Sequence, residues 1–132
     1  ERFAKHFHAK RIIDRRELHS QPGAEIVLDG DEPTELAPGC VAIPTPGHTE
    51  GHCCLLVDDR FLFTGDHLWW SRQRQTLSAS RHYCWHSWAE QTASMKRLTQ
   101  HRFEWILPGH GQRVHRPAED LADHLRRLVA RM

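Results

Sequence analysis

Charge of one sign is the first thing this sequence lacks. Lys plus Arg number 18 and Asp plus Glu 17, a formal net charge of +1. A balance that close makes no electrostatic case for nucleic acid or an anionic membrane as the main partner. No apolar run approaches the ~20 residues that a membrane span requires. No basic stretch followed by an apolar one marks the first residues, so no secretion signal is expected. The chain opens on Glu1 rather than Met, as a fragment or a processed chain would. There is no internal repeat and no low-complexity segment. The cysteines Cys40, Cys53, Cys54 and Cys84 form no C-x-x-C pair. They read as free, buried or half-buried thiols in a reducing, cytoplasmic setting rather than as a disulfide framework. Hydrophobic residues are 39% of 132, enough for one modest core, and the length leaves no room for two domains.

Histidine, by contrast, is abundant, at 12 residues. It is the commonest metal ligand and the side chain that titrates nearest neutral pH. The number alone decides nothing. What matters is which imidazoles sit in rigid, glycine-shaped turns.

The coarse pattern is α/β. Residues 1–9 read as the end of a helix, with Phe3 and Phe7 at i, i+4. Short strands are expected at 11–14, 24–28 and 40–43, with 33–39 a loop or edge. Residues 53–57 and 60–63 flank Asp58-Asp59 as a hairpin, and 103–107 form another strand stopped by Pro108-Gly109. Ser87 and Glu90 make a capping box for a helix running to about Gln100. Pro117 suits the first turn of a last helix, whose apolar stripe is Ala118, Leu121, Ala122, Leu125, Leu128 and Val129. Mixed strands and helices in this order predict a layered α/β protein.

Three segments share one grammar: a strand end, then a glycine turn that presents a potential ligand. They are Thr45-Pro46-Gly47-His48-Thr49-Glu50-Gly51-His52, Phe63-Thr64-Gly65-Asp66-His67 and Ile106-Leu107-Pro108-Gly109-His110-Gly111. Glycine beside a ligand permits a tight turn that holds the side chain out over the sheet edge. Imidazole plus carboxylate at such positions is a donor set for zinc or a similar divalent ion.

On these three motifs the chain resembles the C-terminal half of the metallo-β-lactamase-fold hydrolases, the broad family that includes glyoxalase II. The resemblance implies the second half of an αβ/βα sandwich. It implies that His48 ligates a first metal, that His110 completes a second, and that Asp66 bridges the two as the catalytic carboxylate. It further implies a dizinc hydrolase in which a metal-bound hydroxide attacks a small-molecule ester, thioester or related bond. The family's His-x-His-x-Asp-His motif is missing. His6-Phe7-His8 offers only its beginning, because Lys10 and Arg11 stand where Asp and His should follow. The chain is therefore expected to be a single partial domain that begins just past that motif, without the fold's N-terminal half. Only one helix's worth of chain follows Gly111, too little for the helical extension of glyoxalase II itself. The alternative is a non-catalytic half-domain that needs a partner chain, or a weak single-metal binder.

The remaining candidates have weaker contexts. His52 is expected to support a ligand or line the pocket rather than to bind metal. His67 either orients a ligand or is a surface residue at a strand end. His115 reads as a neighbour of a helix cap, and His19, His82, His86, His101 and His124 as solvent residues. Segment 68–88 holds Trp69, Trp70, Tyr83, Trp85 and Trp88 among Arg72, Arg74 and Arg81. It is expected to pack its aromatics onto the sheet; the alternative is a clamp for a base or an anionic substrate. Finally, Cys53, Leu55 and Val57 alternate with Cys54 and Leu56, so this strand is apolar on both faces. Two helices can cover only one, which predicts self-association or cover from another chain.

Overall fold

The computed structural model describes residues 2–132. Its centre is a six-stranded sheet in the order β10-β9-β6-β5-β4-β3. The strands are β3 (Thr34–Ala37), β4 (Cys40–Pro44), β5 (Cys53–Val57), β6 (Phe61–Gly65), β9 (Trp105–Pro108) and β10 (Val114–His115). β3 to β6 form an antiparallel meander, β9 joins β6 in parallel, and β10 closes the edge antiparallel to β9. The β5–β6 hairpin turns on Asp58 and Asp59, both left-handed at φ +54° and +48°. Three residues separate the paired Val57 and Phe61, and Asp tolerates the left-handed region better than most side chains.

The register sorts the sheet into two faces. Val41, Leu56, Leu62, Ile106 and Val114 form one row across it. On this row sit helix α2 (Trp88–Leu98) and helix α3 (Ala118–Val129), which bury Met95, Leu98, Leu121, Leu125 and Leu128 against Leu56, Leu62 and Ile106. Ser87 caps α2 through its hydroxyl, which accepts from the Glu90 N–H. Between β6 and α2 the chain makes an antiparallel ribbon of β7 (Trp69–Ser71) and β8 (Thr76–Ser78), which carries Trp70 and Leu77 into the same core.

The opposite face carries Leu55, Phe63 and Leu107 in one row and Val57, Phe61, Trp105 and His115 in the next. No described helix covers it, and Phe63 is 44% exposed. A parallel pair, β1 (Ile12–Asp14) with β2 (Ile26–Leu28), borders only the end near Ala42, Cys53 and Leu55. Helix α1 (Arg2–Phe7) buries none of its residues, and Phe3 and Phe7 are 77% and 68% exposed, Phe7 meeting the His6 ring edge-on. All four cysteines are free. Among the described residues no helix is long and apolar enough to cross a membrane.

Residues 34–37 are an edge strand, one of the two readings given for that segment. Elsewhere the structure departs from expectation. The β7–β8 ribbon and β10 occupy segments without strand signals. The strand expected to begin at Phe103 begins at Trp105, while Phe103 packs into the core.

Candidate active site

The direction of the strands assembles the site. β4 and β6 are each antiparallel to β5, and β9 is parallel to β6. The C-terminal ends of β4, β6 and β9 therefore lie at one edge of the sheet, each followed by one of the three glycine turns. Two of these turns are joined directly, since the Gly109 N–H donates to the Gly65 carbonyl at 2.7 Å.

The first turn is closed by the Thr45 N–H to the His52 carbonyl at 2.8 Å and the Gly47 N–H to the Thr49 carbonyl at 3.0 Å. Gly47 lies at φ +141°, and a Cβ there would come within 2.4 Å of Gln91 N, Cα and Cβ in α2. Helix and turn are also tied by the Ser94 hydroxyl, which donates to the Pro46 carbonyl at 2.7 Å. From the other side, the Ser87 N–H and the Cys84 thiol both donate to the Gly47 carbonyl, and the Trp85 N–H donates to the His48 carbonyl at 2.9 Å.

This scaffold orients His48. Its Nδ1 donates to the Tyr83 carbonyl at 2.6 Å. A carbonyl can only accept, so Nδ1 carries the proton and Nε2 keeps its lone pair. Nε2 lies 3.9 Å from Asp66 Oδ2, with the His48 side chain 12% and Asp66 36% exposed. The other carboxylate oxygen, Oδ1, accepts from His110 Nδ1 at 2.6 Å, and His110 is 87% exposed. Asp66 thus stands between the two imidazoles. All three face a cavity of about 530 Å³, whose remaining walls are Trp69, Tyr83, Trp85 and Gly111.

The donor chemistry suits a divalent ion: one imidazole with a fixed lone pair, one carboxylate with a free oxygen, and a second imidazole. His110, however, is turned onto Asp66. Among the described residues no three His, Cys, Asp or Glu side chains are arranged to hold a metal ion together. As placed, the three form a chain of polar groups rather than a closed coordination set.

Behind the site lies a second pair of imidazoles. His52 and His67 stack with ring centroids 4.9 Å apart, and the Thr45 hydroxyl is hydrogen-bonded to His52 Nδ1 at 2.9 Å. His67 is fully buried, and neither of its nitrogens has a hydrogen-bond partner. Burial, helped by the neighbouring His48, pushes His52 down to about 4. Burial also drives His67 well below the ordinary imidazole value. Both are held neutral in the folded chain and protonate near 6.5 when it unfolds. The unfolded state therefore takes up protons first as the pH falls. Stability should be full above about pH 6.5 and decline toward pH 4, by up to ~1.4 kcal/mol per pH unit for each imidazole. Urea midpoints measured from pH 7 to pH 5 should fall steadily; a flat profile over that range would contradict the burial of this pair.

Several histidines differ from the sequence reading. His67 is a core residue, because the turn after Gly65 folds inward and the Gln91 amide donates to its carbonyl at 3.1 Å. His124 is not solvent-facing: α3 lays it against Trp70, with ring centroids 5.0 Å apart, and it is hydrogen-bonded to the Thr76 hydroxyl. His115 stands two residues before Pro117, the N-cap of α3, as expected, and it also belongs to β10 and stacks on Trp105 at 4.4 Å. His6 and His8 stand outside the cavity, and His8 borders a separate hollow with Arg11 and Glu25. The aromatic segment divides. Trp70 joins the core, whereas Tyr83 and Trp85 remain 55% and 71% exposed. The Tyr83 carbonyl, which fixes His48, was invisible in the sequence because it is a backbone group.

No family model and no curated protein matches the chain. Solved structures do. The metallo-β-lactamase DIM-1, exposed to ceftazidime, superposes with a TM-score of 0.62 at 17% identity, covering 98% of this chain and 60% of that one. The metallo-β-lactamase FIM-1 from Pseudomonas aeruginosa, in its mono-zinc form, gives 0.61 at 18% identity, with 97% and 58% covered. TTHA1623 in a di-iron-bound form gives 0.60 at 19% identity, with 86% and 63% covered. The chain has the metallo-β-lactamase fold, and it spans about 60% of the length of these structures.

Proposed function

We propose that this chain carries part of the active site of a metal-dependent hydrolase acting on an ester, thioester or related bond. The observation that carries the reading is Asp66 set between His48 and His110 at one sheet edge, beside an open cavity. The fold supports it, since solved proteins sharing it include mono-zinc and di-iron forms. His48 through Nε2, Asp66 through its carboxylate and His110 through its ring would hold the metal, with zinc, as two ions in a complete site, the first choice. A divalent ion there supplies Lewis acidity toward a carbonyl oxygen and acidifies a water molecule. The chain's own residues do the rest. The Tyr83 carbonyl keeps the His48 lone pair turned toward Asp66, and the joined Gly65 and Gly109 turns hold Asp66 and His110 together.

The test is hydrolysis of a p-nitrophenyl ester and a small thioester with zinc or iron(II) added and with chelator. Metal-dependent turnover that is lost in His48→Ala and His110→Ala is expected. Turnover indifferent to chelator, or unchanged in both variants, would refute the reading.

A second reading, a non-catalytic half-domain that needs another chain, draws on the open outer face around Phe63. It expects concentration-dependent self-association in sedimentation, weakened by Phe63→Glu. A monomer at all concentrations, with no turnover restored by any added chain, would count against it.

A further inference from the structure

We propose that the cavity beside Asp66 takes a flat, uncharged aryl or apolar acyl group, gripped by Trp85 and Tyr83 against Trp69. The identification of that group as part of a substrate rests on the hydrolase reading; the binding itself does not.

Three features point to this ligand class. The first is the composition of the walls. Trp69, Tyr83 and Trp85 line about 530 Å³ together with His48, Asp66, His110 and Gly111, and no lysine or arginine contributes. Arg81, near enough to Cys84 to act on its thiol, is not among the residues that line the cavity. Arg72 and Arg113 border a separate cavity on the far side of Gly111, with Trp105 and His115. In the metal-free chain an anionic group in the aromatic cavity would face the Asp66 carboxylate with no lysine or arginine to offset it, so burying it there is unfavourable. A cationic group could reach only Asp66 Oδ2, since Oδ1 already accepts from His110 at 2.6 Å, and that free oxygen is the one the hydrolase reading assigns to the metal ion. A neutral, flat group meets neither obstacle.

The second feature is that the rings are open to solvent while their backbones are fixed. Trp85 is 71% and Tyr83 55% exposed, so their rings are open to a ligand. Yet the Trp85 N–H is bonded to the His48 carbonyl, the Tyr83 carbonyl to His48 Nδ1, and the intervening Cys84 thiol to the Gly47 carbonyl. The segment is stitched at three successive residues, so binding a ring orders little that is not already ordered.

The third feature is proximity. Two of the three residues of the aromatic wall, Tyr83 and Trp85, are the ones whose main chain is bonded to His48. A group stacked on Trp85 therefore lies next to the Asp66 carboxylate without any rearrangement of the turn, and stacking on Trp or Tyr faces favours flat groups over bulky ones.

The test is binding of 2-acetamidonaphthalene, a neutral amide that resists hydrolysis, to the whole chain in chelator, by calorimetry or ligand-observed NMR. We expect saturable binding, weakened about tenfold in Trp85→Ala and largely kept in Trp85→Phe, with the anion 2-naphthalenesulfonate bound at least about fivefold more weakly. Trp85 is exposed, so its replacement should leave the thermal midpoint unchanged; Tyr83→Leu supplies an independent second variant. Absence of binding, binding unaffected in both variants, or preference for the sulfonate would overturn the proposal. Because chelator is present, these outcomes are independent of turnover. Probe binding without any hydrolysis leaves the aromatic site standing and removes only the hydrolase reading.

Discussion

Gly47→Ala is expected to destabilise the fold by about 3 kcal/mol or more and to take the site with it. The new Cβ would sit 2.4 Å from three atoms of Gln91, two of them backbone, at a φ of +141° that side chains rarely adopt. Neither partner can yield cheaply. α2 is anchored by Met95 and Leu98, both fully buried. The turn is held from both sides by the Ser94–Pro46 and Ser87–Gly47 hydrogen bonds. Displacing it would move His48 away from both Tyr83 and Asp66. Gly30→Ala is the matched control: φ is +97° there, but a Cβ meets nothing within 4 Å. That change should cost only backbone strain, about 1 kcal/mol. Urea unfolding of the two variants reads the difference. Equal losses would show that the close packing of turn on helix is not what fixes the site.

Asp66→Ala should lower hydrolysis by about a hundredfold or more, on the scale seen when one charge-stabilising group is removed from an active site. It should leave the urea midpoint almost unmoved. The side chain is 36% exposed, and its partners are two imidazoles that water can serve instead. Asp66→Asn is the sharper version. It keeps an acceptor for the His110 N–H while removing the charge that both imidazoles face. If the carboxylate is what the site needs, Asn is nearly as damaging as Ala. Activity within a few-fold of the parent in either variant would show that Asp66 is a structural turn residue.

The three turns were legible because each is local: proline or threonine ends a strand, glycine bends the chain, and the next residue is a His or an Asp. That they meet at one edge was implied only by the resemblance. Physically it follows from β4, β6 and β9 running in the same direction, a non-local fact of pairing that no window of sequence contains. The β7–β8 ribbon escaped because its strands are three residues long and the turn between them, Arg72 to Gln75, reads as loop. Burial of His67 had no signal either. A polar residue after Asp66 looks like surface until His52, in another turn, is stacked on it. The aromatic segment reads as packing its aromatics onto the sheet, with a ligand clamp as the alternative. Trp70 does pack there, because it alternates inward on β7. Tyr83 and Trp85 lie past the end of the ribbon, where the backbone is spent on holding the Gly47-His48 turn and the rings are left outside.

If His48, Asp66 and His110 form one metal-binding face, as proposed, zinc must find them together, which a zinc titration of the chain followed at the ring signals of all its histidines by 15N-edited NMR reads out. Three donors make an incomplete set, so binding should be weak, about micromolar or weaker. The rings of His48 and His110 should move first and together, and Asp66→Ala should abolish their response. First shifts at His6, His8 or other outlying rings, or a response of His48 and His110 that survives Asp66→Ala, would contradict a shared face.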